Sequence, residues 1–327
     1  MIKSKIKSVK SVGFKTVCDI TVDKDKSYIS KGGLINHNTT SGDIKKMFIP
    51  PPGYILVEVD YSQAELRVVA ELAQDKAMID IFQRNYNIHM ATACKINGGI
   101  QLYDVAKSAE KDENHKDHLF WVKQKKRAKT INFGILYGQT EKKLSIELEC
   151  TEAEAKKFIT DWYAAYPQVA KWIKAQKAFA HKHGYVKSLF GRKRRLYNIY
   201  SDKFGVMLES ERQAVNTPIQ GTASDFGLLS QIVIREMRMT GEIDFDIQQS
   251  HTVHDSIGYY VKPEHVHKLV PILTRICDNP NTLDYFGFQM TQVKMKVSVE
   301  VCFPSWFDKK EYSAWDNYVK MVNPTKP

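Results

Sequence analysis

An aspartate at the end of a strand can stay fixed and still reach a ligand, and Asp60 stands at such a place. Tyr54 to Val59 is short, β-branched and aromatic, and it follows the Pro50-Pro51-Pro52-Gly53 turn, so it is expected to be a strand. From Ala64 the pattern turns helical, with Leu66, Val69, Ala70 and Ala73 on one face. Many strands end in Asp, so this residue alone fits a structural turn as well as a binding site. Weight comes from a second acidic turn, Thr252-Val253-His254-Asp255-Ser256, and from a basic helix between the two.

That helix is expected over Trp121 to Leu136. Lys125, Lys129, Phe133 and Tyr137 recur every fourth residue and form one slowly winding stripe. Two cations followed by two rings suit a nucleoside triphosphate, with ammonium groups on the phosphates and a ring against sugar and base. Alone, the stripe equally describes a surface helix with a core aromatic. Gly134 and Gly138 thin the helix so that another surface can approach.

A third group with chemistry is His37-Asn38-Thr39. An Asn amide can attack its own carbonyl and cleave the next peptide bond, with the neighbouring His as proton donor. The Thr39 hydroxyl is a nucleophile for acyl transfer. By itself His-Asn-Thr usually means a loop.

These groups sit in 327 residues, enough for one large or two ordinary domains. Net charge is +11 and it is clustered. Residues 1–38 hold eight Lys against three Asp; residues 121–143 hold six Lys and one Arg against one Glu; residues 187–195 hold five cations and no acid. Clustered basic charge is the footprint of a polyanion partner. Five scattered cysteines with no C-x-x-C pair argue against a disulfide framework or a zinc ribbon. No apolar run reaches membrane-spanning length, and no signal-peptide core follows the basic N-terminus. A soluble, cytoplasmic protein with no membrane partner is expected.

Taken in order, Thr16 to Val22 and Ser27 to Ile29 are strand-like. Asp75 to Ile96 is expected to be helical and Ile100 to Leu119 a helix–loop segment. Thr151-x-x-Glu154 is a capping box opening a helix that runs to Tyr166, and a second helix runs from Gln168 to His183, stopped by Gly184. Tyr185 to Arg195 suits a hairpin turning at Gly191. Phe204 to Met239 reads as one or two helices broken near Pro218 and Gly221. Met290 to Val301 alternates like a strand, and Trp306 and Trp315 are expected to close the core.

Residues 1–38, with Val17-Cys18-Asp19-Ile20-Thr21-Val22 and the terminal His37-Asn38 before Thr39, resemble the C-terminal fragment of a split intein. The resemblance makes Asp19, His37, Asn38 and Thr39 splicing residues and implies a naturally split gene. Lys26 stands where many inteins have a second catalytic His.

Residues 39–327 resemble a family A DNA polymerase. Asp60-Tyr61-Ser62-Gln63-Ala64-Glu65-Leu66-Arg67 is similar to motif A, Arg127 to Gly138 to motif B, and Thr252 to Ser256 to motif C. Between B and C, Gly184-Tyr185-Val186-x-x-Leu189-Phe190-Gly191-Arg192 and Glu211 to Ala223 also match in family order. The resemblance implies an α+β fold: a palm built on an antiparallel sheet (39–75 and 204–327), helical fingers (about 76–203) and a small all-β intein fragment (1–38). The sheet would take Tyr54 to Asp60, Thr252 to Val261 and the C-terminal strand. It further implies template-directed DNA synthesis from dNTP on primer-template DNA, with two Mg²⁺ ions held by Asp60, Asp255 and the backbone carbonyl of Tyr61. Lys125 and Lys129 would meet the triphosphate. Phe133 and Tyr137 would face the nascent base pair, Gln63 and Glu65 would border the nucleotide, and Glu65 would exclude a 2′-hydroxyl. Arg192 and its neighbours, Asn216, Gln220 and His254 would contact DNA.

Two departures stand out. Lys125 occupies the usual place of an Arg, so a forked phosphate contact is lost or passes to Arg127. Ser256 replaces the usual Glu after His254-Asp255, and His-Asp-Ser is the form found in phage-type single-subunit RNA polymerases, the competing reading beside an inactive nucleic-acid-binding fragment. The thumb segment that normally precedes motif A is absent, so the resemblance points to half of a phage enzyme in a bacterial host, joined by trans-splicing to an N-terminal half carrying the intein N-fragment.

Overall fold

The strand expected before Asp60 forms at Ile55–Tyr61, and Ile55 to Val59 are all buried. The computed structural model describes residues 27–29, 35–37, 45–278 and 290–313. Strands β1 (Ser27–Ile29) and β2 (Ile35–His37) pair antiparallel, Ser27 opposite His37. The Thr16 to Val22 run, Asp19, Asn38, Thr39 and Trp315 lie outside the described residues.

Strand β3 (Ile55–Tyr61) leads into helix α1 (Ala64–Ala73). Helices α2 (Lys76–Gln83), α3 (Ile88–Ile96), α4 (Tyr103–Lys111), α5 (His118–Leu136) and α6 (Glu141–Leu148) follow. The expected single helix over Asp75 to Ile96 is therefore two. Asn85 takes φ 56°, which Asn tolerates better than most residues, and the Asn87 side chain accepts the amides of His89 and Met90 to start α3.

Helix α7 (Glu152–Ala165) opens on the expected capping box: the Thr151 hydroxyl accepts the Glu154 amide while the Glu154 carboxylate accepts the Thr151 amide. Helix α8 (Pro167–His183) begins with Pro at its first position and ends at Gly184 in the left-handed region, φ 69°. Strands β4 (Tyr185–Lys187) and β5 (Lys193–Arg195) form the expected hairpin. Helix α9 (Phe204–Thr240) is unbroken. Pro218 does not divide it; the Thr222 hydroxyl donates to the Pro218 carbonyl at 2.6 Å within the same turn.

Strands β6 (Ile247–Val253) and β7 (Ser256–Val261) replace the single run expected over Thr252 to Val261, because the chain reverses at His254-Asp255. Helix α10 (Val266–Asp278) follows, then β8 (Val297–Cys302), shorter and later than the expected run from Met290, and β9 (Lys309–Glu311). The main sheet has the order β6-β7-β3-β8-β9. Helices and an antiparallel sheet give the α+β class.

Contacts group the chain into two compact units, one drawn from Met1–Val59, Phe245–Val270 and Val299–Pro327, the other from Asp60–Asp244 and Pro271–Ser298. In the first, Leu56, Cys302 and Trp306 form a core against Phe48, Val253 and Tyr260. In the second, α5 packs on α3, α4, α6 and α7, and α9 packs on α1 and α8. Among the described residues no helix is long and apolar enough to cross a membrane.

Candidate active site

The turn from β3 into α1 is held from several sides within the second unit. Asp60, half-buried, is the last residue but one of the strand. The Tyr61 hydroxyl lies 2.5 Å from the Ser230 hydroxyl on α9, and its ring is buried. The Ser62 amide donates to the Lys296 carbonyl at 2.7 Å. Gln63 adopts φ 57° and its side-chain oxygen accepts the Ile88 amide at 3.2 Å. Arg67 then locks the turn from below, its Nε donating to the Ser62 carbonyl at 2.9 Å and its terminal nitrogen to the Lys294 carbonyl at 2.7 Å, with the guanidinium over the Phe82 ring. Burial lowers the Arg67 pKa to about 10 despite the nearby Asp278. Four residues on, the Glu71 carboxylate accepts the amides of Thr291, Gln292 and Val293, each at 3.0 Å.

In the first turn of α1, Glu65 faces α5. The Tyr137 hydroxyl donates to the Glu65 carboxylate at 2.6 Å. Tyr137 and Phe133 stack at 5.9 Å, and Phe133 lies 5.6 Å from the His89 ring. The expected stripe is thus real at its aromatic end. Gly138, at φ 65°, lets Arg212 approach; a Cβ there would stand 2.9 Å from Arg212 Cγ.

Under this surface lies a buried polar network. Asn132 is fully enclosed. Its oxygen accepts from Trp162 Nε1 at 2.6 Å and from the Thr92 hydroxyl at 3.2 Å, and its amide donates to His89 Nδ1 at 2.9 Å. Burial first, then the Lys129 and Lys125 charges, lower the His89 pKa to about 4, so the ring is neutral near pH 7.

The cationic end of the stripe divides. Lys129 is exposed. Lys125 pairs with Glu110 at 2.5 Å, and Glu110 also takes Lys107 at 2.6 Å. Arg127 lies over the Phe158 ring, 5.2 Å from its centroid. Neither Lys125 nor Arg127 stands beside Lys129 as a second open cation.

In the first unit, Asp255 and His254 form the two-residue turn between β6 and β7, both exposed, with His254 at φ 55°. The sheet behind carries a buried charge. Glu58, 1% exposed, accepts from Trp306 Nε1 at 3.0 Å and pairs with Lys309, which also reaches Glu300 at 2.9 Å. His251 lies 3.7 Å away. Burial pushes the Glu58 carboxyl up, but His251, Lys309 and Ser256 outweigh it and hold it at about 2.

Of the expected DNA contacts, Arg192, Asn216 and Gln220 lie on the β4–β5 hairpin and α9, in the second unit, and His254 lies in the first. Arg212, Asn216 and Gln220 follow at four-residue steps and share one helix face. Asn216 Oδ1 is enclosed without a protein partner among the described residues, and Gln220 is exposed. Arg192 turns inward to the Asp225 carboxylate at 2.8 Å and the Gly221 carbonyl at 3.1 Å.

A family model described as DNA polymerase family A matches residues 34–308. The chain belongs to DNA polymerase family A. It is 32% identical over 270 residues to DNA polymerase I of Deinococcus radiodurans, covering 82% of this chain and 25% of that one. It is 37% identical over 189 residues to the thermostable DNA polymerase I of Thermus aquaticus, covering 58% and 21%. The structure of the POL domain of Pol1 from M. smegmatis, in complex with DNA primer-template and dNTP, superposes with a TM-score of 0.67 at 24% identity, covering 82% of this chain and 42% of that one. This family A chain therefore spans about a quarter of the length of these curated relatives.

Sequence reasoning on this family A chain missed the supports: Glu58, Glu71, His89, Asn132 and Asp225. Their signal was faint. Glu58, Glu71, His89 and Asn132 are polar residues inside otherwise apolar runs and Asp225 stands in a mixed one, patterns that mark burial only once the partner is known.

Proposed function

We propose that this chain is the nucleotidyl-transfer half of a DNA polymerase, adding deoxynucleotides to a primer 3′-hydroxyl on a DNA template. The observation that supports it most is the hydrogen bond from Tyr137 to Glu65. It joins motif A to motif B within one unit and places a carboxylate beside two stacked rings. A carboxylate fixed in this way can fill the space that a ribose 2′-hydroxyl would need, while the rings offer a face to the base pair.

Asp60, Asp255 and the backbone carbonyl of Tyr61 offer hard oxygen ligands, the donor class that Mg²⁺ takes. Asp60 is half-buried at a strand end and Asp255 is exposed on a tight turn. Two bound ions would lower the pKa of the primer hydroxyl and stabilise the leaving pyrophosphate. Lys129 then neutralises triphosphate oxygens as a single point charge, because Lys125 is engaged by Glu110. Asn216 and Gln220 position the DNA, and His254 meets the primer terminus. On this reading the palm takes residues 39–75 and 204–327 and the fingers about 76–203.

The chain begins polymerase function after residues 1–38 act as a split-intein fragment, with Asn38 cyclising and Thr39 taking the acyl group, joining it to an N-terminal half. Mixing the two halves and extending a labelled primer tests the proposal. A ligated product that incorporates dNTP on a primed template is expected. A ligated product that incorporates nothing, or only ribonucleotides, overturns the DNA polymerase reading.

A further inference from the structure

The β4–β5 hairpin has two faces: one enters a core, and the other meets the protein through Tyr185, whose half-buried ring lies edge-on to Phe179 at 5.6 Å. Val186 and Arg194 are paired across it. Val186 enters a core with Ala180, Leu196, Ile199 and Ala214, and Arg194 donates to the Thr217 hydroxyl on α9 at 3.3 Å. By alternation the neighbours point outward. Tyr185 there carries Lys193 5.0 Å and Lys187 5.8 Å from its ring centroid, and Arg195 is its cross-strand partner.

The next residues continue this surface. Leu196 and Ile199 are buried and anchor a short 3₁₀ turn, Tyr197–Tyr200, beside the hairpin. The Leu196 amide donates to the Gly184 carbonyl at 2.8 Å, and the Tyr200 ring lies over Gly184. The tyrosines that follow each anchor turn to solvent: Tyr197 is 81% exposed and Tyr200 62%. From Lys187 to Lys203 the chain holds six cations and one acid, Asp202.

We propose that this outward face, built on Tyr185, Lys193, Arg195, Tyr197 and Tyr200, is a binding surface for single-stranded nucleic acid, distinct from the α9 face of Arg212, Asn216 and Gln220. Cations alone attract any polyanion, duplex included. Exposed rings between them add something that a duplex cannot use, because its bases are already stacked, whereas an unpaired base can lie on a tyrosine. A protein partner fits less well, since lysine is depleted at protein interfaces. On a primed template, such a surface would hold unpaired strand.

The inference does not depend on the metal or nucleotide chemistry, and its test contains neither. Fluorescence anisotropy with the full chain compares a labelled oligothymidine with a duplex of equal length. Wild type binds the single strand more tightly. Tyr197→Ala with Tyr200→Ala weakens single-strand binding roughly fivefold or more, the lower end of what one lost stack costs, and leaves duplex binding unchanged. Tyr197→Phe with Tyr200→Phe retains the affinity, because the ring remains. Lys193→Glu flattens the dependence of affinity on salt, while the tyrosine changes do not. Equal affinity of wild type for both oligonucleotides, wild-type binding by the double alanine variant, or equal losses in the alanine and phenylalanine variants would each overturn the proposal. A polymerase that fails to extend primers while these results hold would overturn only the reading of motifs A to C.

Discussion

Single side chains would carry the selectivity proposed for this site. Glu65 is held by Tyr137 at 2.6 Å, and its proposed task is to deny space to a 2′-hydroxyl. Glu65→Ala is expected to raise ribonucleotide incorporation relative to deoxynucleotide, read as the ratio of kcat/KM values in primer extension by the ligated enzyme. An unchanged ratio would remove Glu65 from sugar selection. Two buried groups set the response to acid. Glu58 has its pKa lowered from 4.5 to about 2, so the stability it contributes is complete above about 4.5 and is lost as pH falls toward about 2. His89 is lowered from 6.5 to about 4. Its folded form resists the proton that the unfolded chain accepts, so stability is complete above about 6.5 and drains as pH falls toward about 4. Urea midpoints measured from pH 7 to pH 4 are expected to decline, and His89→Gln is expected to flatten that decline. A slope unchanged in the variant would assign it to other groups.

At the scale of elements, much was legible in the sequence and the reasons differ by element. The capping box at Thr151 and the stop at Gly184 were readable because both act through one or two local hydrogen bonds or a single backbone angle. The unbroken α9 was harder, since Pro218 argues for a break and only the packed structure shows it accommodated. The division between α2 and α3 hangs on the positive φ of Asn85, a weak local cue inside an apolar run. The motif residues were readable from type and order. Lys125 was not, because its partner Glu110 lies on another helix. The support of α5 is likewise non-local. Asn132→Ala strands the Trp162 indole and leaves the Thr92 hydroxyl and His89 short of a partner. A loss of about 1–3 kcal/mol is expected for each buried group left unsatisfied, measurable by urea denaturation. A change below about 0.5 kcal/mol would show that the network does not hold α5 in place.

For the molecule as a whole, the sequence makes the chain a member of a polymerase family that covers only part of its relatives' length. The proposed intein segment is rich in lysine and free of arginine, which suits docking to an acidic partner by opposite charge. Asn38→Ala is expected to leave the Asn38–Thr39 bond uncleaved when the two halves are mixed, seen as a missing ligated band on a gel. Ligation at the wild-type rate by this variant would refute the splicing role of Asn38.

The turn beneath Asp60 is tied to residues that the ribosome makes more than two hundred positions later: Thr291 to Val293 on Glu71, Lys294 on Arg67 and Lys296 on Ser62. Motif A is among the first parts of the polymerase segment to be synthesised and among the last that can be finished. Such non-local closure is slow. A nascent chain stopped short of Thr291 has every motif residue in place but lacks the braces that residues 291 to 296 give the first of them.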